Sequence, residues 1–167
     1  MSPVGSIMPL VTSILTGTLG LFEKIVSSQN DFIATMNEKT PPALTKLGAR
    51  IKAYDATSQT IEMHYSIDDS FCHSGDIIQG GYIAGMLDGA MAHTIFASFE
   101  RYLVLATLEM SVSYLEIARP GTFVCYARPV RLGKSIAFLE GWLHNTRGIT
   151  VAKATSTAKI IDKVPRK

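Results

Sequence analysis

The stretch Ile77–Phe99 constrains the fold of this chain more than any other part of it. It contains a single charged residue, Asp88, and its length and apolar character predict a helix. A helix that is apolar on every side is expected to be buried, in a protein core or in a membrane. Because an unpaired carboxylate is costly to bury, Asp88 is a candidate functional residue; the alternative is a structural acceptor of hydrogen bonds across a buried interface.

The predicted helix has a face of small residues around Asp88. At about 100° per residue, this face contains Gly81, Ala84, Gly85, Ala92, Ile95 and Phe99. The opposite face contains Ile83, Met86, Ala90, His93 and Ala97. Small side chains let a second backbone or a ligand come close to the helix. At the start of the helix, Gln79-Gly80-Gly81 offers free N–H groups and the positive end of the helix dipole.

The start of this helix and Asp88 supply complementary chemistry. The N–H groups of Gly80 and Gly81 can hold a carbonyl oxygen and stabilise developing negative charge, and Asp88 can act as a base or a nucleophile. Gly81 and Asp88 are about 10 Å apart along the helix axis, so one carbonyl group cannot touch both. Catalysis by this pair therefore predicts a homodimer, in which antiparallel helices pair each helix start with the Asp88 of the other chain.

The whole chain has the length and charge of a single globular domain. Its 167 residues and net charge of +2 give no indication of nucleic-acid binding. Cys72 and Cys125 have neither disulfide nor metal-ligand spacing, which fits a cytoplasmic protein. The histidines also lack metal-ligand spacing, and there is no Gly-x-Ser-x-Gly motif and no phosphate-binding loop. We therefore expect neither a metal nor a cofactor.

The N-terminal region differs in composition from the rest of the chain. Residues Ser2–Phe22 carry no charge and no basic segment precedes them, which argues against a signal peptide, while their Ser, Thr, Gly and Pro content weakens the case for a membrane span. Leu21–Glu38 has apolar residues at helical spacing, and Thr40-Pro41-Pro42 ends the pattern. We predict a helical extension over residues 1–40, packed on the domain or on a partner subunit, and a domain over residues 41–167.

Alternating apolar and polar residues predict strands on both sides of the central helix. They are Ala49–Ala53 and Thr60–Ile67 before it, and Thr107–Ile117, Thr122–Val130, Ser135–His144 and Ile149–Ile161 after it. Pro129 indicates an edge or a bulge. The β-β-α-β-β-β-β order predicts an α+β fold in which an antiparallel sheet wraps around one buried helix. A membrane-spanning helix would leave the first strands without partners, so no membrane contact is expected.

Several short motifs occur together in this chain. They are Gln79-Gly80-Gly81 with Leu87-Asp88, the strand from Thr107 to Leu115, Ala118-Arg-Pro-Gly121, Gly133-Lys134-Ser135-Ile136-Ala137 and Ala152-Lys153-Ala154-Thr155. Between Leu47 and Ile161 the chain thereby resembles the hotdog-fold acyl-CoA thioesterases of the PaaI type. The resemblance implies a hydrolase whose acyl-CoA site is shared between the subunits of a homodimer, or of a dimer of dimers.

The same resemblance implies a role for each matching residue. The Gly80 amide polarises the thioester carbonyl, Asp88 of the neighbouring subunit acts as nucleophile or as general base on water, and Thr107 helps to position that water. The family usually has Asn-x-x-Gly-x-x-His-Gly-Gly before the helix, where this chain has His73-Ser-Gly-Asp76-Ile-Ile-Gln79-Gly80-Gly81. His73 thus occupies the position of the water-orienting Asn, and Gln79 that of the His.

The substrate and two rival functions stay open at this stage. Arg131, Lys134 and Ser135, with Arg128 nearby, either bind the phosphates of the ligand or are ordinary turn residues. The acyl group depends on how six side chains pack: Met86, Met91, Phe96, Phe99, Met110 and Phe138. The alternatives to hydrolysis are a non-catalytic acyl-CoA-binding protein and a hydratase or dehydratase that uses His73 and Asp88.

Overall fold

The computed structural model describes residues 29–161, and the earlier part of the predicted N-terminal extension lies outside this range. Helices α1 (residues 29–38) and α2 (Pro42–Lys46) precede strands β1 (Arg50–Asp55) and β2 (Thr60–Ile67). A 3-10 helix (Asp69–Phe71) and the short strands β3 (Cys72–Ser74) and β4 (Ile77–Ile78) lead into the long helix α3 (Gly80–Phe99).

The second half of the described chain is a succession of strands. They are β5 (Val104–Tyr114), β6 (Gly121–Leu132), β7 (Ile136–Asn145) and β8 (Thr150–Ile161). The six long strands form one sheet in the order β1-β2-β6-β7-β8-β5, and each neighbouring pair is antiparallel. Strands β1 and β5 are the edges of this sheet. The predicted α+β class is confirmed, and the arrangement is that of the hotdog fold.

Helix α3 packs across the inner face of the sheet, against β2, β5, β6, β7 and β8. The residues predicted to lie opposite Asp88, such as Ile83, Met86 and Ala90, are buried against the strands. On β8, the inner face is made by small side chains, namely Ala152, Ala154, Ser156 and Ala158. Because these side chains are short, the helix can approach the sheet closely and exclude water from the core.

Strand β5 differs from its prediction in start, end and alternation. It runs from Val104 rather than Thr107, and its pairing with β8 shifts register between Thr107 and Glu109. Such a bulge inserts one extra residue and moves side chains to the other face. As a result Leu108 is 58% exposed, and Thr107, opposite the buried Ala158, faces the helix. The predicted bulge at Pro129 is confirmed by a register shift between Pro129 and Arg131.

Helix α3 begins at Gly80, whereas its apolar pattern predicts a start at Ile77. The reason is that Ile77–Ile78 forms a short antiparallel pair with β3, and the Ile78 N–H donates to the Ala118 carbonyl over 3.0 Å. Apolarity alone does not distinguish a short buried strand from the first turn of a helix. The start at Gly80 leaves the N–H groups of the two glycines at the very end of the helix.

Helix α1 is joined to the sheet through a side chain. Asn37 donates to the Ile51 carbonyl and accepts from the Ile51 N–H, each over 2.9 Å, and Met36 is buried in the core. The boundary at residue 40 stays a prediction. Within residues 29–161, no helix is long and apolar enough to span a membrane.

Candidate active site

Asp88 and Thr107 meet on the open side of α3. The Thr107 hydroxyl donates a hydrogen bond of 2.9 Å to Asp88 Oδ1. This contact depends on the β5 bulge, which turns Thr107 towards the helix. No other hydrogen bond within residues 29–161 engages the Asp88 side chain. The second carboxylate oxygen is therefore available to a ligand or to water.

The face of α3 around Asp88 remains uncovered in the single chain. Gly81 is exposed, and Ala84, Gly85, Asp88 and Ala92 are half-buried. The prediction that the whole helix is buried therefore holds for the sheet side only. An open stripe of small residues can accept a second helix at short distance, because no long side chain stands between the two backbones.

The start of α3 is covered by a tyrosine of the same edge strand. The Tyr114 hydroxyl donates to the Gly80 carbonyl over 3.0 Å, and a Cβ atom on Gly80 would lie 3.2 Å from the Tyr114 ring. The Gln79 side chain makes no capping hydrogen bond to the helix start. The first N–H groups of α3 thus have no partner within the helix, and Gly80 lines a groove together with Ile77, Tyr114 and neighbouring residues.

Within one chain, the helix start and Asp88 cannot act on the same atom. Both lie on α3, and the rise per residue puts Gly80 and Asp88 about 12 Å apart along its axis. Strand β5 contacts both positions, through Tyr114 at Gly80 and through Thr107 at Asp88. The helix and its edge strand therefore hold the hydrogen-bond donors at Gly80 and the carboxylate of Asp88 at a fixed separation.

An apolar groove of about 550 Å³ opens beside Asp88. One wall is the stripe of α3 that contains Gly85, Asp88 and Phe96; the other is built by α2 and by the start of β5. Of the side chains expected to set the size of an acyl pocket, Phe96 lines this groove. Met86 and Met91 are buried in the core, and Phe138 lies exposed on the outer face of β7, so these three residues do not line this groove.

His93 also lines the groove, although the residue is buried and only 4% exposed. Its Nδ1 lies 2.7 Å from the Gly89 carbonyl oxygen, and its ring packs edge-on against Phe96. Burial lowers the pKa of His93, and the hydrogen bond to Gly89 opposes this shift only in part. The sequence alone suggests a core or interface histidine. The helical spacing of residues 85, 89, 93 and 96 is the one sequence signal that places His93 on the same side of the helix as the other groove residues.

The remaining predicted site residues lie at the surface. His73 is exposed on β3, and its Nδ1 lies 2.8 Å from the Ser74 hydroxyl. Gln79 is exposed as well, and Arg131, Lys134 and Ser135 are exposed around the β6–β7 turn. This turn lies at the Thr107 end of the sheet, since Leu132 pairs with Ala137, Ala137 with Ala158, and Ala158 with Thr107.

The cysteines do not provide a reactive thiolate. Burial raises the pKa of the Cys125 thiol far above its ordinary value. Desolvation also raises the pKa of Cys72, and the carboxylates of Asp69, Asp76 and Asp68 add to this effect. In the described part of the chain, no three His, Cys, Asp or Glu side chains cluster as metal ligands would.

Sequence and structure comparisons identify the relatives of this chain. The model of the thioesterase superfamily matches residues 75–152, which include α3 and β5. A search of curated protein sequences found no match. The phenylacetic acid degradation-related protein of Ralstonia eutropha JMP134 is 29% identical, with a TM-score of 0.69 over 77% of this chain and 98% of that one.

Two more distant structures share the fold. The Escherichia coli PaaI protein of the phenylacetic acid degradation operon is 16% identical, with a TM-score of 0.71 over 83% of this chain and 96% of that one. A hypothetical thioesterase of Streptococcus pneumoniae TIGR4, solved with coenzyme A, is 17% identical, with a TM-score of 0.63 over 71% and 91%. The comparisons confirm the resemblance and the fold expected from the sequence, and the superfamily match supports a thioester hydrolase.

Proposed function

We propose that this chain, a hotdog-fold relative of the PaaI-type thioesterases, hydrolyses acyl-CoA thioesters at a site shared between two subunits. The observation that carries the proposal is the Asp88 carboxylate, which is held by Thr107 at 2.9 Å and opens onto an apolar groove. A carboxyl group beside an apolar pocket suits a substrate with an apolar acyl chain and a carbonyl carbon to be attacked by water.

The proposed reaction begins with water at Asp88. The Thr107 hydroxyl donates a hydrogen bond to Asp88, so the Thr107 oxygen can accept a hydrogen bond from that water. Asp88 removes a proton as the water attacks the thioester carbonyl, or it attacks directly and forms an anhydride that water then opens. The negative charge on the carbonyl oxygen is stabilised by the Gly80 N–H of the other subunit, with Gly81 beside it. Collapse of the tetrahedral intermediate releases the CoA thiolate.

The open face of α3 supports a shared site. Gly80 and Asp88 are too far apart on one helix, and the small residues between them allow a second helix to lie alongside. Strand β5 is an edge strand, so its outer backbone groups can pair with a second copy. In an antiparallel pair, each Gly80 meets the Asp88 of the other chain. Two such dimers are also expected to be able to associate into a tetramer.

The CoA moiety is proposed to reach the β6–β7 turn. The positive charges of Arg131 and Lys134, with the Ser135 hydroxyl, suit its phosphates, and the turn lies about three strand spacings, or about 14 Å, from Thr107. The structure solved with coenzyme A is a relative with the same fold. His73 and Gln79 precede the helix start and are proposed to contact substrate or water there. A cytoplasmic location fits the free thiols of Cys72 and Cys125.

The test is thiol release from a panel of acyl-CoA esters by wild type and Asp88→Asn. Asparagine can still accept the Thr107 hydrogen bond but cannot take a proton, so we expect kcat to fall by about 10²–10⁴-fold. An inactive wild type that binds acyl-CoA would instead identify a binding protein. Interconversion of enoyl- and hydroxyacyl-CoA would identify a hydratase.

A mixing experiment tests the shared site separately. Asp88→Asn and Gly80→Val are each expected to be inactive alone. Heterodimers formed by unfolding and refolding a mixture contain one intact site, so about a quarter of the wild-type activity should return when the two variants are equal in amount. Activity that does not return, in a mixture that has formed dimers, contradicts a composite site.

A further inference from the structure

We propose that Ser156 is a positioning residue: its hydroxyl holds the bulge of β5, and the bulge keeps the Thr107 hydroxyl against Asp88. This inference rests on the proposed function, because it concerns the geometry of the carboxylate assigned to that reaction. It adds to the site a residue of β8 that lies beyond the range matched by the family model.

Ser156 is a buried hydroxyl in a row of alanines. Its neighbours on the inner face of β8 are Ala154 and Ala158, and Ser156 itself is only 4% exposed. Burying a hydroxyl group is unfavourable unless it forms a hydrogen bond. The partner here is the Glu109 carbonyl of β5, to which the Ser156 hydroxyl donates over 2.9 Å. An alanine would fill the same place without this requirement, so the hydroxyl has a use beyond packing.

The accepting carbonyl lies where the bulge of β5 ends, since pairing with β8 is interrupted between Thr107 and Glu109. In a regular antiparallel pair, carbonyl groups point along the sheet towards the neighbouring strand, whereas side chains stand roughly perpendicular to the sheet. The Ser156 hydroxyl on the inner face therefore reaches the Glu109 carbonyl because the bulge turns that peptide group out of the ladder. Regular pairing would return the carbonyl to the ladder and break this bond.

The bulge also decides which way Thr107 points. Thr107 and Met110 both lie on the inner face, although they are three residues apart and strict alternation would put them on opposite faces. With regular pairing up to Met110, Leu108 would replace Thr107 on the inner face. The Thr107 hydroxyl would then point away from Asp88. The hydrogen bond between these two residues thus depends on the extra residue of the bulge.

Apolar burial does not by itself select the bulged pairing. The bulge places Leu105 and Thr107 on the inner face. Regular pairing would place Ala106 and Leu108 there instead, again one leucine and one small side chain, so the two pairings bury similar apolar area. Register is weakly specified where the hydrophobic pattern does not decide it. A buried hydrogen bond made only in the bulged form then decides, and Ser156 supplies that bond.

The experiment measures acyl-CoA hydrolysis by Ser156→Ala. Without the hydroxyl, part of the molecules should adopt the regular pairing, so we expect kcat at saturating substrate to fall by about 3–30-fold. The matched control is Thr94→Val, which removes another buried hydroxyl; that hydroxyl donates to the Gln59 carbonyl at the β1–β2 turn over 2.8 Å. The two melting temperatures should fall by similar amounts, but kcat of Thr94→Val should stay within about 2-fold of wild type.

Two double variants show whether Ser156 acts through the bulge. In Ser156→Ala/Thr107→Val, kcat should be less than about 2-fold below that of Thr107→Val alone, because both substitutions remove the same contact. In Ser156→Ala/Leu108→Gln, kcat should return to within about 3-fold of wild type, because burying a glutamine amide would disfavour the regular pairing. Leu108→Gln alone, at a position 58% exposed, should keep the wild-type kcat. A role in stability alone predicts additive losses and no rescue.

The pairing itself is read from nuclear Overhauser contacts between β5 and β8, which need no activity. Thr107 should pair with Ala158 in wild type, and Leu108 should pair with Ala158 in part of the Ser156→Ala molecules.

The outcomes separate this inference from the proposed function. Unchanged pairing in a folded Ser156→Ala overturns the inference whatever its kcat, as do additive losses in the Thr107 double variant or an undiminished kcat in Ser156→Ala; an active wild type leaves the proposed function intact in each case. If wild type hydrolyses no thioester, the proposed function fails. The pairing in Ser156→Ala then still decides the inference, since a shift to Leu108 supports it and retention of Thr107 overturns it.

Discussion

The Tyr114 hydroxyl donates a hydrogen bond to the Gly80 carbonyl over 3.0 Å, so the edge strand β5 holds the first residue of α3. Through Thr107, the same strand also holds Asp88. The two positions proposed to act on a thioester are thus fixed by one strand at the edge of the sheet. Anything that moves β5 should move both.

Removing the Tyr114 hydroxyl should loosen the helix start. We expect Tyr114→Phe to lower kcat by about 3–10-fold and the free energy of unfolding by about 1 kcal/mol or less, because the bond is half-exposed. Tyr82→Phe is the matched control, since its hydroxyl makes no hydrogen bond within the described residues. Thiol-release kinetics and urea unfolding measure both quantities. Equal effects of the two substitutions would contradict a positioning role for Tyr114.

The sequence predicts much of this fold, because periodicity reports which faces are buried. The Thr60–Ile67 strand is confirmed at both ends, and the helix is confirmed up to Phe99. The start of α3 is predicted wrongly, since Ile77–Ile78 is a strand. The alternation along β5 is also predicted wrongly, because a bulge between Thr107 and Glu109 interrupts it. A bulge is decided by pairing with the neighbouring strand, which one segment of sequence does not record.

The candidate site is predictable to a different degree at each residue. Asp88 is predicted as a site residue because it is the one charged residue in an apolar stretch. Thr107 is predicted only from the resemblance to the thioesterase family. Tyr114 and the groove around His93 need the tertiary structure. Tyr114 is 34 residues from Gly80 in sequence, and strands β1 to β4 lie between α2 and α3, so these contacts are set by the way the chain folds back on itself.

The Thr107–Asp88 hydrogen bond should be required for full activity. Thr107→Val keeps the shape of the side chain but removes the hydroxyl, so we expect kcat to fall by about 10–100-fold, as for loss of a hydrogen bond to a charged group. Thr107→Ser retains the hydroxyl, so its kcat should fall by less than about 3-fold. Kinetics of acyl-CoA hydrolysis by the three proteins decide this, and a fully active valine variant would remove Thr107 from the mechanism.

His93 should make the folded state less stable in mild acid. Its pKa is lowered from 6.5 by burial, so between pH 6.5 and the lower folded value the unfolded chain binds a proton that the folded chain does not. The free energy of unfolding should therefore decrease as the pH falls through this window, by at most about 1.4 kcal/mol per pH unit. Urea unfolding from about pH 7.5 to about pH 5.5 should give a shallower slope for His93→Asn than for wild type. Identical slopes would mean that His93 titrates normally.

The open face of α3 should be the place where two copies meet. Ala84 lies midway between the helix start and Asp88 and is half-buried in the single chain, so a charged side chain there would be trapped between the helices. We expect Ala84→Glu to be monomeric by analytical ultracentrifugation and to lose at least about 10²-fold in kcat, because each Asp88 loses the Gly80 N–H of the other subunit. Lys153→Glu, on the exposed outer face of β8, should change neither property. The Asp88–Thr107 pair lies within one chain and survives in the monomer, so a monomeric Ala84→Glu protein with full activity would mean that a single chain supplies every catalytic group.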